Sequence, residues 1–184
     1  MPKQRITKEM ILDIAFKFAR KKGFDKVVLK NIADEIGCSV QPIYSYYKNM
    51  DDLRGFVYQE AMKFYQSFIY SRVDGDNLLE SMGKANVLFA KEETNLFNLL
   101  FLNKINGLNS FSDIYEWMGD KNAAQQVMER YSLSEGCAKE VYIMLITFTH
   151  GMATMIAMGA TNIPDSEIAE YLQKAYRSFI KVHQ

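Results

Sequence analysis

Gln41 is the one side-chain amide in the stretch Ser39-Val40-Gln41-Pro42-Ile43-Tyr44-Ser45-Tyr46-Tyr47-Lys48. An amide offers a donor and an acceptor side by side, the pattern that pairs with adenine in the major groove. Tyr44 and Tyr46 supply hydroxyls that can reach phosphate oxygens while their rings pack on the sugar backbone. Lys48 puts a cation at the end of the same stretch. Other chemistries find little to work with. The chain has two histidines, His150 and His183, and two cysteines, Cys38 and Cys137, without metal-ligand spacing, and no glycine-rich phosphate loop. No nucleophile–base set is legible, so an enzyme, a metal and a cofactor are not expected.

These residues depend on short helices for their placement. Thr7 is a plausible N-cap for a first helix reaching about Lys22, whose Ile11, Ile14, Ala15, Phe18 and Ala19 follow helical spacing. Arg20, Lys21 and Lys22 suit its C-terminal dipole, and Gly23 can close it. A second helix is expected over Leu29–Ile36, stopped by Gly37. A third should run from Val40 to about Tyr47, with Ser39 as its cap and Pro42 in the first turn. Ile43 and Tyr47 then face Ile32, Ala33 and Ile36, with Cys38 at the corner. Gln41, Pro42, Tyr44, Ser45 and Tyr46 take the opposite, solvent-facing side. Two helices joined at a glycine in this way form a helix-turn-helix candidate.

Composition agrees with a helical, globular chain. Of 184 residues, 48% are hydrophobic and 24% charged, with ten glycines and three prolines to interrupt helices. Formal charge is zero, yet residues 1–54 hold 11 Lys+Arg against 7 Asp+Glu, and the remainder 11 against 15. A basic front and an acidic back suit a module that faces DNA joined to one that avoids it. The N-terminus, Met1 to Arg5, is short and basic, and no apolar signal region follows it.

The run Ile32-Ala33-Asp34-Glu35-Ile36-Gly37-Cys38-Ser39, with Ile43-Tyr44-Ser45-Tyr46-Tyr47 and Leu53, resembles the DNA-binding domain of the TetR family of transcription regulators. The first helix and its Lys22-Gly23-Phe24 ending are similar too, so the likeness covers about the first fifty-five residues. It implies nine helices: a three-helix DNA-binding domain (residues 1–49) and a larger helical ligand-binding and dimerisation domain (residues 50–184). It also implies DNA contacts by Lys30, Ser39, Gln41, Pro42, Tyr44, Ser45, Tyr46 and Lys48. Two positions depart from the family. Val28 stands where Ser or Thr usually caps the second helix, a loss of about 1 kcal/mol. Met50 stands where a phosphate-contacting lysine is usual, leaving Lys48 as the substitute.

Behind this front, Asp51 and Asp52 begin a helix to about Arg72, with Leu53, Phe56, Val57, Ala61, Phe64 and Phe68 as its stripe. Phe64 and Phe68 should lie toward the helical body. After a turn at Val73–Asn77, helices are expected at roughly 77–91, 94–105, 111–131, 135–160 and 165–182. Residues 141–160 hold no charged side chain and are long enough to span a bilayer, but Thr147, Thr149, His150 and Thr154 favour a buried helix. Small residues such as Gly151 would let it pair with the last helix (Ile168, Leu172, Ala175, Tyr176, Phe179) in a homodimer; cover by its own chain is the other reading. Phe64, Phe68, Phe89, Phe97, Phe101, Trp117, Tyr142, Phe148 and Met152 are either plain core or the walls of a site for an apolar small-molecule effector.

The expectation is thus an all-α, cytoplasmic, homodimeric regulator that binds double-stranded operator DNA, without a membrane segment. Repression relieved by the effector is the leading form. A ligand-independent architectural or cell-division DNA-binding factor is the alternative.

Overall fold

The computed structural model describes residues 6–103 and 107–184. The basic stretch at residues 1–5 and the far end of the helix expected over 94–105 lie outside the described residues. Among the described residues there are ten α-helices, one 3-10 turn and no strand. The expected all-α class holds. The chain divides into two compact units, one of residues 1–66 with 93–103, the other of residues 67–92 with 104–184.

The first unit contains α1 (Lys8–Lys22), a 3-10 turn (Phe24–Lys26), α2 (Leu29–Ile36), α3 (Gln41–Tyr44), most of α4 (Met50–Tyr70) and α6 (Thr94–Phe101). Thr7 caps α1 as its sequence position implies: its hydroxyl accepts from the Met10 amide at 3.1 Å. Ile11, Ala15, Ala19, Ile32, Ile43, Leu53, Val57 and Ala61 have almost no exposed surface, so the helical stripes meet as one core. Val28 sits at the N-cap of α2, where no side-chain cap hydrogen bond is made. Asn31 instead ties α2 to the 3-10 turn by donating to the Lys26 carbonyl at 2.9 Å.

This packing unit is larger than residues 1–49, because α6 docks on α1. The Arg20 guanidinium grips Glu93 through two hydrogen bonds, from Nε to Oε2 at 2.8 Å and from Nη2 to Oε1 at 2.5 Å. Asn95 donates to the Arg20 carbonyl at 3.0 Å. α6 ends at Phe101, earlier than its apolar run suggests. Asn103 folds its amide back onto the carbonyls of Asn98 and Leu99, taking acceptors that another helical turn would have used.

The second unit holds the end of α4, α5 (Leu78–Glu92), α7 (Phe111–Met118), α8 (Lys121–Tyr131), α9 (Glu135–Ala157) and α10 (Asp165–Lys181). A single helix over 111–131 was expected, and two are found. The break lies at Gly119 and Asp120: Gly119 is extended (φ −68°, ψ 142°), and Asp120 caps α8 by accepting from the Ala123 amide at 2.9 Å. A Cβ at Gly119 would collide with the Tyr115 carbonyl, so glycine is required where the chain turns. This break accounts for ten helices where the resemblance implies nine. Asp120 also accepts from the Tyr70 hydroxyl at 2.6 Å, and its amide donates to the Tyr142 hydroxyl at 2.8 Å.

α9 packs against α5, α7, α8 and α10. Ala138, Val141, Tyr142, Leu145, Thr149, Met152 and Ala153 are buried, and the Thr149 hydroxyl is satisfied by the Leu145 carbonyl at 2.8 Å. The helix is 23 residues long and apolar enough to cross a membrane by length and composition alone. Its cover is one-sided, however. Thr147, Gly151, Met155 and Met158 are exposed, so cover of the whole helix by its own chain is not observed.

Candidate nucleic-acid interface

The turn before α3 is made by backbone geometry that the sequence announces. Gly37 takes a left-handed conformation (φ 75°, ψ 37°), its amide bonds the Asp34 carbonyl at 3.2 Å, and the Cys38 amide bonds the Ala33 carbonyl at 3.0 Å. This paired closure satisfies the last carbonyls of α2 and reverses the chain. α3 is shorter than expected. Regular helix covers Gln41–Tyr44 only, and Val40, already in right-handed helical geometry, takes the N-cap position that Ser39 was expected to fill. No side chain caps it. The turning continues beyond Tyr44 through the Tyr46 and Tyr47 amides, both bonded to the Ile43 carbonyl at 3.1 Å.

Burial then sorts the side chains into two faces. Ile43 (1% exposed) and Tyr47 (2%) anchor the segment in the first unit's core. Each such fully buried side chain is worth about 1.5–3 kcal/mol, enough to hold one turn of helix that could not persist alone. Lys30, Ser39, Gln41, Tyr44, Ser45, Tyr46 and Lys48 are exposed, and Pro42 is half-buried. The segment therefore has an exposed face opposite its buried one, and Gln41 and Tyr44 stand on it.

Two neighbouring tyrosines do different work from the exposed face. The Tyr47 hydroxyl donates to the Lys8 carbonyl at 3.1 Å, and its ring packs edge-on against Phe56 at 5.6 Å, with the Lys8 ammonium above both rings. Burial, reinforced by Glu9, Asp52 and Asp13, pushes the Tyr47 hydroxyl up to about 12, so it remains a donor at any physiological pH. The Tyr46 hydroxyl donates to the Ile6 carbonyl at 2.9 Å. That hydrogen bond directs its proton to the start of α1.

Asn49, which the sequence reading passed over, caps α4. Its Oδ1 accepts from the Asp52 amide at 2.8 Å, while the Asp52 carboxylate accepts from the Lys48 amide at 3.1 Å. The signal was available as Asn-x-x-Asp ahead of an apolar stripe. This lock fixes the Lys48 backbone one residue before the cap of α4.

Residues 11–55 match the family model for bacterial regulatory proteins of the tetR family. The front module is a tetR-family domain. Among solved structures, the chain is similar to a protein of Mesorhizobium loti MAFF303099 assigned to the TetR-family transcriptional regulators. The TM-score is 0.58 at 15% identity, with 95% of each chain covered. That likeness is one of fold alone. No curated protein matches the chain. These findings support a match to that family over residues 11–55 and a shared fold over the rest of the chain.

The nine residues weighed as effector-site walls are distributed over both units. Phe64 packs toward α1, 5.9 Å from Phe16 and beneath the Arg20 guanidinium at 4.5 Å, where the sequence reading had it facing the helical body. Phe97 and Phe101 pack on each other at 5.1 Å in the first unit. In the second, Phe68 meets Phe89 edge-on at 5.1 Å, Tyr142 is buried against Tyr115, Phe148 lies 6.2 Å from Phe179, and Met152 is buried. Trp117 is half-buried on α7. A separate cleft of about 240 Å³ between α5 and α10 is lined by Lys84, Val87, Leu88, Lys91, Asp165, Ile168 and Ala169. His150 is half-buried on α9, and burial holds its imidazole below the ordinary histidine range.

Proposed function

We propose that this chain is a cytoplasmic, homodimeric repressor that reads a near-palindromic operator with residues 39–48 and is released by an apolar small molecule. One observation carries the DNA-reading part: Ile43 and Tyr47 are locked into the core while Gln41 and Tyr44 stand exposed beside them. A helix held in this way can enter the major groove with its amide toward base edges. Gln41 reads adenine, Tyr44 and Lys48 anchor phosphates, and Lys30 adds a backbone contact from α2. Residues 1–49 serve as the DNA-binding domain and residues 50–184 as the effector-binding and dimerising domain. The one-sided burial of α9 supports pairing of α9 and α10 with those of a second copy, which would place two reading segments on two half-sites.

Selection of bound duplexes from a random-sequence pool, followed by footprinting, tests the operator. Paired protected half-sites are expected; uniform binding irrespective of sequence would refute the reading. Effector release requires that the ligand bind the DNA-incompetent arrangement more tightly, and about 1.4 kcal/mol of difference lowers operator affinity tenfold. A thermal-shift screen followed by operator-binding assays with each hit tests it. The ligand-independent alternative is favoured by the mutual packing of Phe68 with Phe89 and of Phe97 with Phe101, which are core contacts as they stand. If no stabilising compound alters DNA affinity, that alternative holds.

A further inference from the structure

The cleft between α5 and α10 is walled by two matching stripes. On α5, Lys84, Val87, Leu88 and Lys91 follow the i, i+3, i+4, i+7 spacing of one helical face. An apolar pair therefore lies between two lysines set about 10.5 Å apart along the helix axis. On α10, Asp165, Ile168 and Ala169 face them at i, i+3 and i+4. Val87 and Ile168 are buried, while Leu88 and Ala169 are half-buried. The floor is apolar and the rim is charged.

That rim carries two cations and one anion, a positive seat within residues 55–184, where 11 Lys+Arg meet 15 Asp+Glu. Its two ion pairs are not equivalent. Lys84 is held from within α5 by Glu80 at 2.6 Å, and the Glu80 side chain is 14% exposed. Lys91 reaches across the cleft to Asp165 at 2.6 Å, and that side chain is 71% exposed. An exposed pair adds little net stability, because water solvates the released carboxylate almost as well. The carboxylate on Lys91 can thus be exchanged for another at small cost. At about 240 Å³ the cleft falls below the sites of roughly 300–1,000 Å³ that enclose drug-sized ligands, so its occupant is smaller.

From this arrangement we infer that the cleft binds a free amphipathic monocarboxylate of the medium-chain fatty-acid kind. Its chain lies along Val87, Leu88, Ile168 and Ala169, and its carboxylate takes the place of Asp165 on Lys91. The inference rests on the effector reading above and deepens it, giving the ligand a seat and one charged end. Displacing Asp165 unfastens the first turn of α10 from α5, so occupancy acts on a helix that the dimer reading pairs with a second copy.

The test is calorimetric titration of the full chain with octanoate and with 1-octanol, which has the same chain length and no charge. Octanoate should bind about tenfold tighter, the worth of one charge-assisted hydrogen bond. Lys91→Met should bring the two to equal affinity. Asp165→Asn should tighten octanoate by up to about fivefold, since no carboxylate then has to be displaced; a purely structural pair predicts no gain. Ala169→Trp, which fills the cleft, should abolish binding of both, with circular dichroism checking its fold; if it does not fold, the Lys91 and Asp165 variants decide. No octanoate binding, equal affinity for the alcohol, an unchanged preference in Lys91→Met or no gain in Asp165→Asn would each overturn the site. Ala169→Trp that alters self-association in sedimentation and leaves octanoate affinity intact would make the cleft a contact between copies instead. Octanoate bound on the expected terms, with no change in affinity for a duplex selected from a random pool, upholds the site and sinks effector release alone.

Discussion

Removing Arg20 should cost the fold far more than removing its partner Glu93, although the two share the same hydrogen bonds. The asymmetry follows from burial. The Arg20 side chain retains 42% of its exposure, while that of Glu93 retains 10%. In Glu93→Ala the guanidinium can turn to water and keep its place above the Phe64 ring, 4.5 Å away. The loss should then be about 1 kcal/mol, the scale of an exposed pair. In Arg20→Ala a nearly buried carboxylate loses both of its charged donors, and the ring loses its cation as well. Breaking a fully buried pair costs about 3–5 kcal/mol; allowing for the solvent that reaches Arg20, about 2–4 kcal/mol is expected. Because Glu93 is the source of the penalty, adding Glu93→Ala to Arg20→Ala should restore stability, which independent sites would not do. Urea denaturation of the four proteins, followed by far-ultraviolet circular dichroism, measures this directly. Equal losses for the two single variants, or a double variant no better than Arg20→Ala, would refute the reasoning.

Gln41→Ala should weaken operator binding by about 1–3 kcal/mol and relax preference at one base pair, whereas Lys48→Ala should weaken all sequences alike and reduce the salt slope by about one; binding assays on the operator and single-base variants separate them. A Cβ added at Gly151 meets nothing within 4 Å in the chain itself. Gly151→Leu should therefore leave the folded monomer intact yet shift sedimentation from dimer to monomer. Because the Tyr47 hydroxyl is raised to about 12 in the fold, its contribution is complete below pH 10 and is lost as pH climbs from 10 toward 12. Tyr47→Phe should lose less stability than the unmodified chain over that window in a pH series of urea melts.

Much of the module was legible because its determinants are local. The α1 stripe, the Thr7 cap, the Gly37 reversal and the exposed Gln41 all depend on residues within a turn or two of one another. The break at Gly119-Asp120 was also written locally, as a glycine followed by a capping aspartate, but apolar periodicity on both sides of it read as one continuous helix. Asn49 was overlooked for a similar reason: the two aspartates after it looked like the start of α4, while the cap lies one residue before its first turn.

Contacts between distant parts of the chain lay beyond that reach. Nothing near Arg20 in sequence marks Glu93, 73 residues away, as its partner, and nothing near Tyr46 marks the Ile6 carbonyl as its acceptor. Periodicity likewise shows that α9 is apolar on most sides without showing which side its own chain covers. Residue types and spacing determined the helices, the turn and the side chains exposed around α3, since each is a property of a few consecutive residues. Which hydroxyl holds the start of α1, which cation is held by a buried carboxylate and which face of α9 is left uncovered were decided only when the helices packed. Those outcomes depend on three-dimensional proximity, and no spacing along the chain encodes it.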